Sequence, residues 1–406
     1  MFQKAFTYYF DSFRGFKREI WVLTLASLIN RAGTMVIPFL SLYLTSDVGL
    51  SLTQVGWVMT AFGAGSFMGS WLGGKLSDTI GAYRTMVSSL IISGFLFMVL
   101  QYVRSFEAFC VAIAILMVVA DTFRPALFVA IKQYSKPENR TRSVGLIRLA
   151  INLGFSLGPA AGGFVIAHLG YGSLFWIDGL SCLLAGSVIL LLFNQKSSTT
   201  TEQTETVLTD PERSPYSDRL YLLFLVVIVL FATTFLQYFS SVPLYYRDVH
   251  HLSERSIGLL FALNGLLVFF FELLVIKRLE QAKWSVLKVI FLGNLLLASS
   301  FFMMNLTGWS GILVIGMITM TFAEMMIFPF ANRFCMDRAD GGKTGAYMAA
   351  YTVAFSLGHI IGHNAGLQLV GSAGFEVTWY LTTAVSLIGA GIILVLRKMK
   401  GHQPNS

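Results

Sequence analysis

Charge is what this 406-residue chain has least of: Asp, Glu, Lys and Arg together make up 12% of it. An ordinary soluble domain carries about a quarter, so a water-facing surface over the whole molecule is excluded. Cysteine is scarce as well. Cys110, Cys182 and Cys335 are the only three, too few for a disulfide framework and without metal-ligand spacing, so they read as small packing groups. No H-E-x-x-H string, no nucleophile beside a base and no paired acids within one apolar run occur, which argues against an enzyme, a bound metal or a cofactor. No cleavable signal peptide is evident, because the first 19 residues carry Lys4, Arg14, Lys17 and Arg18 and lack an apolar core.

Apolar residues fill the space left by charge. They form 55% of the chain, with 35 Phe and a mean hydropathy of +0.69. Predominantly apolar runs long enough to cross a bilayer fall at about 20–44, 53–74, 86–104, 106–131, 143–168, 173–193, 219–246, 256–276, 285–306, 310–333, 344–370 and 375–397. Phe155-Ser156-Leu157-Gly158 recurs as Phe355-Ser356-Leu357-Gly358. Asp47-Val48 returns as Asp248-Val249, Leu50-Ser51 as Leu252-Ser253 and Gly56 as Gly258. A repeat holding six spans predicts an all-α membrane protein of twelve helices in two pseudo-symmetric six-helix bundles. The bundles are expected at 1–193 and 219–406, joined by a polar Ser/Thr/Glu-rich linker over 194–218.

Most of the 29 Lys and Arg residues lie in the two termini and the five loops on their side, among them Lys132, Lys136, Arg140, Arg142, Lys277, Arg278, Lys283 and Lys288. The opposite loops hold only Arg104, Arg247 and Arg255. The positive-inside rule then places both termini in the cytoplasm, across a plasma (inner) membrane. The net charge of +8 follows from that asymmetry, so the expected partners are the lipid bilayer, a small molecule and protons. Nucleic acid is not among them, and the chain is expected to act as a monomer.

Between the second and third spans lies Gly74-Lys75-Leu76-Ser77-Asp78-Thr79-Ile80-Gly81-Ala82-Tyr83-Arg84. Its glycines permit a tight turn, and Asp78 and Arg84 suit charge-assisted bonds to helix ends; an ordinary basic loop would look much the same. Here the chain resembles the major facilitator superfamily, whose pattern G-x-L-x-D-x-x-G-x-x-R is matched by Gly74, Leu76, Asp78, Gly81 and Arg84. Ala82 and Tyr83 depart from the usual basic pair. The resemblance implies a gating role for this segment and no substrate contact. Lys277 and Glu280 form a degenerate copy.

In the fifth span, Gly154, Gly158 and Gly162 share a helix face on which another helix can approach closely, and Pro159 favours a bend. The string through Gly163 resembles the G-x-x-x-G-P-x-x-G-G signature of drug:proton antiporters, which implies export.

A charge inside the bilayer normally faces the bundle interior. Asp121 and Arg124 are three apart, which puts them on one face of a helix, with Arg31 beside Asn30 as a second cation. Arg124 stands where the resemblance places an arginine tied to proton transfer, although Phe128 replaces the Gly of that pattern. A static ion pair is the alternative. Glu324 has no cation within a turn in sequence and is the repeat mate of Asp121, which makes it the first candidate for proton coupling, with Asp121 and then Glu272 behind it. Pro159 and Gly163 become His359 and His363 in the second copy. This i,i+4 pair is compatible with metal or proton binding, polar-substrate contact or helix-packing hydrogen bonds, and no Cys or acid at useful spacing accompanies it to favour metal. Asn152, Gln237, Asn264 and Asn30 are further cavity candidates, whereas the aromatics of spans 7 and 8 read mainly as lipid-facing or packing groups. Together these readings point to proton-coupled export of a small amphipathic or drug-like molecule by alternating access. A proton symporter for a peptide, carboxylate or lysolipid is the alternative.

Overall fold

The computed structural model describes residues 16–136, 140–193, 215–338 and 344–401. Among them every regular element is helical. In chain order these are α1 (Arg18–Ala32), α2 (Val36–Ser46), α3 (Leu52–Thr79), α4 (Ala82–Leu100), α5 (Phe106–Ala120), α6 (Phe123–Tyr134), α7 (Arg140–Leu169) and α8 (Gly172–Leu192). They continue as α9 (Arg219–Phe235), α10 (Ser241–Asp248), α11 (Glu254–Gln281), α12 (Val286–Met303), α13 (Gly311–Arg338) and α14 (Thr344–Gly401). The linker expected at 194–218 lies, but for its last four residues, outside the described chain.

Three of the expected spans are each broken into two helices, and proline accounts for where. Pro38, Pro125 and Pro243 each stand third in a helix, at the start of α2, α6 and α10. A proline there cannot donate to the carbonyl four residues back. Those carbonyls belong to Thr34, Asp121 and Phe239, and each lies in a gap or at the end of the 3-10 turn Leu236–Phe239. Asp121 and Arg124 are therefore not on one uninterrupted helix: Asp121 closes α5 and Arg124 belongs to α6.

Two other boundaries also shift. The segment Gly74–Thr79 continues α3 as helix instead of forming a loop, and the chain turns only at Gly81, whose φ is +88°. A side chain at such a φ is strained, which is why glycine serves there. The last element is 58 residues long and is broken at Gly374 (φ 82°, ψ 173°).

The chain gathers into two compact units, one built from residues up to Ile37 and from Gly65 to α8, the other from Pro38–Ala64 and the chain from α9 onward. The first has a core of Ile20, Leu23, Met86, Leu127, Ile131 and Ile147. In the second, Trp379, Tyr238, Phe301 and Phe224 are among the largest fully buried side chains. Around them large apolar side chains face outward, including Trp71, Val111, Leu191, Phe270 and Leu273. Outward apolar faces on helices with internally satisfied backbones suit hydrocarbon, not water. Among the described residues, ten helical stretches are long and apolar enough to cross a membrane.

Candidate functional site

Within the first unit, a cavity of ≈ 60 Å³, room for a handful of waters, is lined by Asn30, Arg31, Thr34, Asp121, Arg124 and Asp178, among others. The breaks after α1 and α5 bring these polar groups to it, since Arg31 is in the last turn of α1 and Asp121 caps α5. Ser66 of α3 donates a hydrogen bond to Asp121 Oδ2. Asp121 thus takes a neutral donor, while Arg31 and Arg124 act on it through the field across the cavity. Among the described residues neither guanidinium makes an ion pair or a hydrogen bond. The amide of Asn30 donates to the Cys182 thiol at 3.3 Å.

The exporter-like glycines build the wall behind Arg31. A Cβ on Gly154 would come within 2.7 Å of Arg31 Cβ and 2.8 Å of the Ala32 nitrogen. One on Gly158 would meet the carbonyl oxygens of Thr34, Ala32 and Arg31 at 3.0–3.1 Å. The glycine face of α7 is therefore the surface on which the end of α1 rests. Pro159 lies within the unbroken α7, and Gly162 and Gly163 are buried there. Asn152 is half-buried on the same helix.

The second unit repeats the relation between a carboxylate and a neutral donor. Asn264 Nδ2 on α11 donates to Glu324 Oε2 on α13 at 3.0 Å and to Thr321 Oγ1 at 2.9 Å. Asp121 closes α5 and Glu324 lies on α13, and their donors lie on α3 and α11 respectively. Glu272 is buried further along α11.

His359 and His363 pack ring to ring, centroids 4.6 Å apart and planes at 72°, and His359 stacks on Phe62 at 5.2 Å. The Nδ1 atoms of both are buried without a hydrogen-bond partner. The segments 52–64 and 220–246, which supply Phe62 and Thr233 to this part of α14, contain no charged residue. Next to the pair, Asn364 donates to Thr60 Oγ1 at 2.9 Å. Among the described residues no group of three or more metal-ligating side chains is assembled.

Gln237 is committed to the backbone. Its Nε2 donates to the carbonyls of Gly362 (2.5 Å) and Thr233 (3.1 Å), and its Oε1 accepts from Ser241. In the gating motif, Asp78 and Arg84 are exposed, and neither forms an ion pair among the described residues. The degenerate copy does: Glu280 pairs with Arg333 at 3.2 Å.

Sequence reading passed over Asp178. It is 2% exposed, and its two oxygens accept from the backbone nitrogens of Met35 (2.9 Å) and Val36 (3.1 Å) at the start of α2. The signal was available, because Asp178 is a lone acid in an apolar run.

A bundle of broken apolar helices with buried carboxylates, two of them lining one small cavity, fits a class, the multi-pass membrane transporters. The family model of the Major Facilitator Superfamily matches residues 20–363, and the chain belongs to that superfamily. A Na(+), Li(+), K(+)/H(+) antiporter of Planococcus maritimus is 24% identical over 357 residues, covering 79% of this chain and 82% of the relative. The quinolone resistance protein NorA of Staphylococcus aureus is 31% identical over 170 residues, 41% of this chain and 42% of NorA. A POT family transporter in complex with 5-aminolevulinic acid shares the fold, with a TM-score of 0.82 at 13% identity over 95% of this chain and 97% of that one.

Proposed function

We propose that this transporter exports a small amphipathic molecule in exchange for protons, by alternating access of two six-helix halves. One observation carries the reading: Asp121 and Glu324 occupy matching places in the two halves, each accepting from a neutral donor on a neighbouring helix. A carboxylate within a span that is bonded by such a donor suits reversible protonation. Glu324, and Asp121 with it, would take a proton from outside and release it to the cytoplasm, with Glu272 in a lesser role. Relatives named as a cation/proton antiporter and a drug-resistance protein support the direction. No catalytic role is assigned.

The twelve crossings of this reading are the ten apolar stretches, with α3 added and the last stretch of 54 residues counted as two. A helix of that length would run roughly 80 Å, far beyond a hydrocarbon core of about 30 Å, and Gly374 provides the turn. Both termini are cytoplasmic, the membrane is the plasma (inner) membrane, and the halves follow the sequence repeat. The protein works as a monomer. His359, His363 and Asn364 offer polar contacts in the second half, and the Gly74–Arg84 motif acts in gating.

The test uses inside-out vesicles with an imposed pH gradient, ethidium as a lipophilic-cation probe and 5-aminolevulinic acid as a zwitterionic one. Glu324→Gln should abolish proton-driven uptake while the protein remains folded; unchanged uptake would overturn the coupling assignment.

A second reading, proton symport of a nutrient with an anionic group, is favoured by one observation: Arg31 and Arg124 line the cavity without ion-pairing to Asp121. Guanidiniums left in this way suit a carboxylate. Growth of cells with and without the protein, challenged with drugs and with metabolites at two external pH values, separates the two directions.

A further inference from the structure

We propose that Asp178 anchors a hinge in the first membrane span and thereby acts as a positioning residue for Arg31. The break between α1 and α2 comprises Gly33, Thr34 and Met35. A helix start leaves backbone donors without partners. Here Asp178 accepts from two of them, Met35 and Val36, and Pro38 has no N–H to satisfy. Gly33 lies directly against Ser181, one turn along α8 from Asp178. The break is therefore gripped at two points by one helix of the first unit, and Arg31 sits two residues before that grip.

Past the grip the chain leaves that unit. It enters the second unit between Ile37 and Pro38 and returns between Ala64 and Gly65. Beyond Pro38, α2 is hydrogen-bonded to α10 and the residue preceding it. Ser41 Oγ donates to the Ser240 carbonyl at 2.9 Å, and Arg247 donates to Thr45 at 3.0 Å and to Ser46. The chain thus passes from one unit to the other immediately beyond this grip, and passes back within the continuous α3. Asp178 fixes the side of the break that stays.

The second half lacks this device. At the repeat offset of 201 residues Asp178 becomes Trp379, which is fully buried. The corresponding break, around Leu236–Phe239, is tied by Gln237 to carbonyls of α9 and α14. One half thus holds its broken helix with a single carboxylate on two amides, the other with a neutral amide bound on both sides. The carboxylate cap also benefits from the helix dipole, and one substitution removes it.

The proposal rests on the alternating-access reading, and its test separates the two. Hydrogen exchange is measured on the full-length protein in lipid nanodiscs, together with labelling of a single cysteine at Gln54 by an impermeant maleimide, with Cys110, Cys182 and Cys335 replaced. Asp178→Ala should speed exchange over residues 33–40 about tenfold or more, leave α4 and α8 unchanged, and alter the Gln54→Cys labelling rate severalfold. Asp178→Asn, which keeps an acceptor oxygen, should fall between. Exchange that does not rise, or that rises equally along the whole chain, overturns the anchor. Local loosening with wild-type labelling makes Asp178 a static cap and overturns the hinge. Labelling that ignores an imposed pH gradient with Asp178 intact defeats alternating access, and the hinge with it.

Discussion

Asn264 donates a hydrogen bond to Glu324 at 3.0 Å, and Ser66 does the same for Asp121 in the other half. The two acids are repeat mates, but their donors differ in kind: a carboxamide on α11, a hydroxyl on α3. Both donors are neutral groups on a neighbouring helix.

Asn264 and Glu324 are expected to act as one element. Asn264→Ala and Glu324→Gln should each cut pH-gradient-driven flux about tenfold or more, and the double variant should be no worse than Glu324→Gln alone. Vesicle flux assays of the full cycle check this, since groups acting as a unit give non-additive losses. Multiplying losses would show that the bond is incidental.

Glycine substitutions separate two physical causes. Gly158→Ala places a Cβ at 3.0–3.1 Å from three carbonyl oxygens of the first span, which cannot yield as a side chain would. A loss of about 1–3 kcal/mol from overpacking is expected, read as a lower melting temperature in detergent. Gly81→Ala meets nothing within 4 Å, yet its φ of 88° with ψ of 150° lies in a region open essentially to glycine and costs about 1–3 kcal/mol. Gly81→Asn should cost about as much as alanine, because ψ is 150° and lies outside the left-handed helical region that asparagine tolerates, whereas Gly158→Asn should be worse than alanine.

Asp218 provides a pH test away from the spans. It caps α9 through the nitrogens of Leu220 and Tyr221 and pairs with Arg338 at 2.6 Å. Burial by itself would raise its pKa, but the bonds from Arg338, Tyr221 and Tyr347 hold it below the ordinary value. A carboxyl with a lowered folded pKa contributes stability that is complete above its unfolded pKa and is lost as pH falls through the folded one. Arg338→Gln should therefore lower stability at pH 7 by about 1–2 kcal/mol, allowing for the partly open guanidinium. Thermal unfolding at a series of pH values should show that deficit shrinking below about pH 4, as the wild-type carboxyl also protonates.

Arg247 joins α10 to the end of α2 through Thr45 and Ser46 while pairing with Asp248 at 2.6 Å. An exposed contact of this type is worth about 1 kcal/mol or less, a shift of up to about fivefold in an equilibrium. Arg247→Ala should raise maleimide labelling of Ser51→Cys by up to that factor, and Arg247→Lys should restore part of the protection. A labelling rate identical to wild type in both would show that these contacts do not govern access to Ser51.

Much of the architecture could be read along the chain, because bilayer spanning is dictated locally. Length and hydropathy located the apolar helices, and the gap between the runs 344–370 and 375–397 holds Gly374, where the last helix breaks. Prolines were less legible. Pro38, Pro125 and Pro243 interrupt spans, while Pro159 and Pro329 sit within continuous helices, and nothing in their near neighbours separates the two groups. An interrupted helix persists only where other groups satisfy the freed amides and carbonyls, and those groups come from distant segments.

The sequence alone determined the class: a charge-poor duplicated chain of membrane helices, with a few intramembrane acids and arginines that must serve a purpose. Tertiary structure decided their partners. Asp178 meets Met35 from 143 residues away, Asn264 reaches Glu324 across 60, and Arg31 and Asp121 face one cavity without pairing. Hydrophobicity is a property of each residue and adds along a segment, whereas a hydrogen bond needs two groups placed to within a few tenths of an ångström. Only the packed helices set that distance.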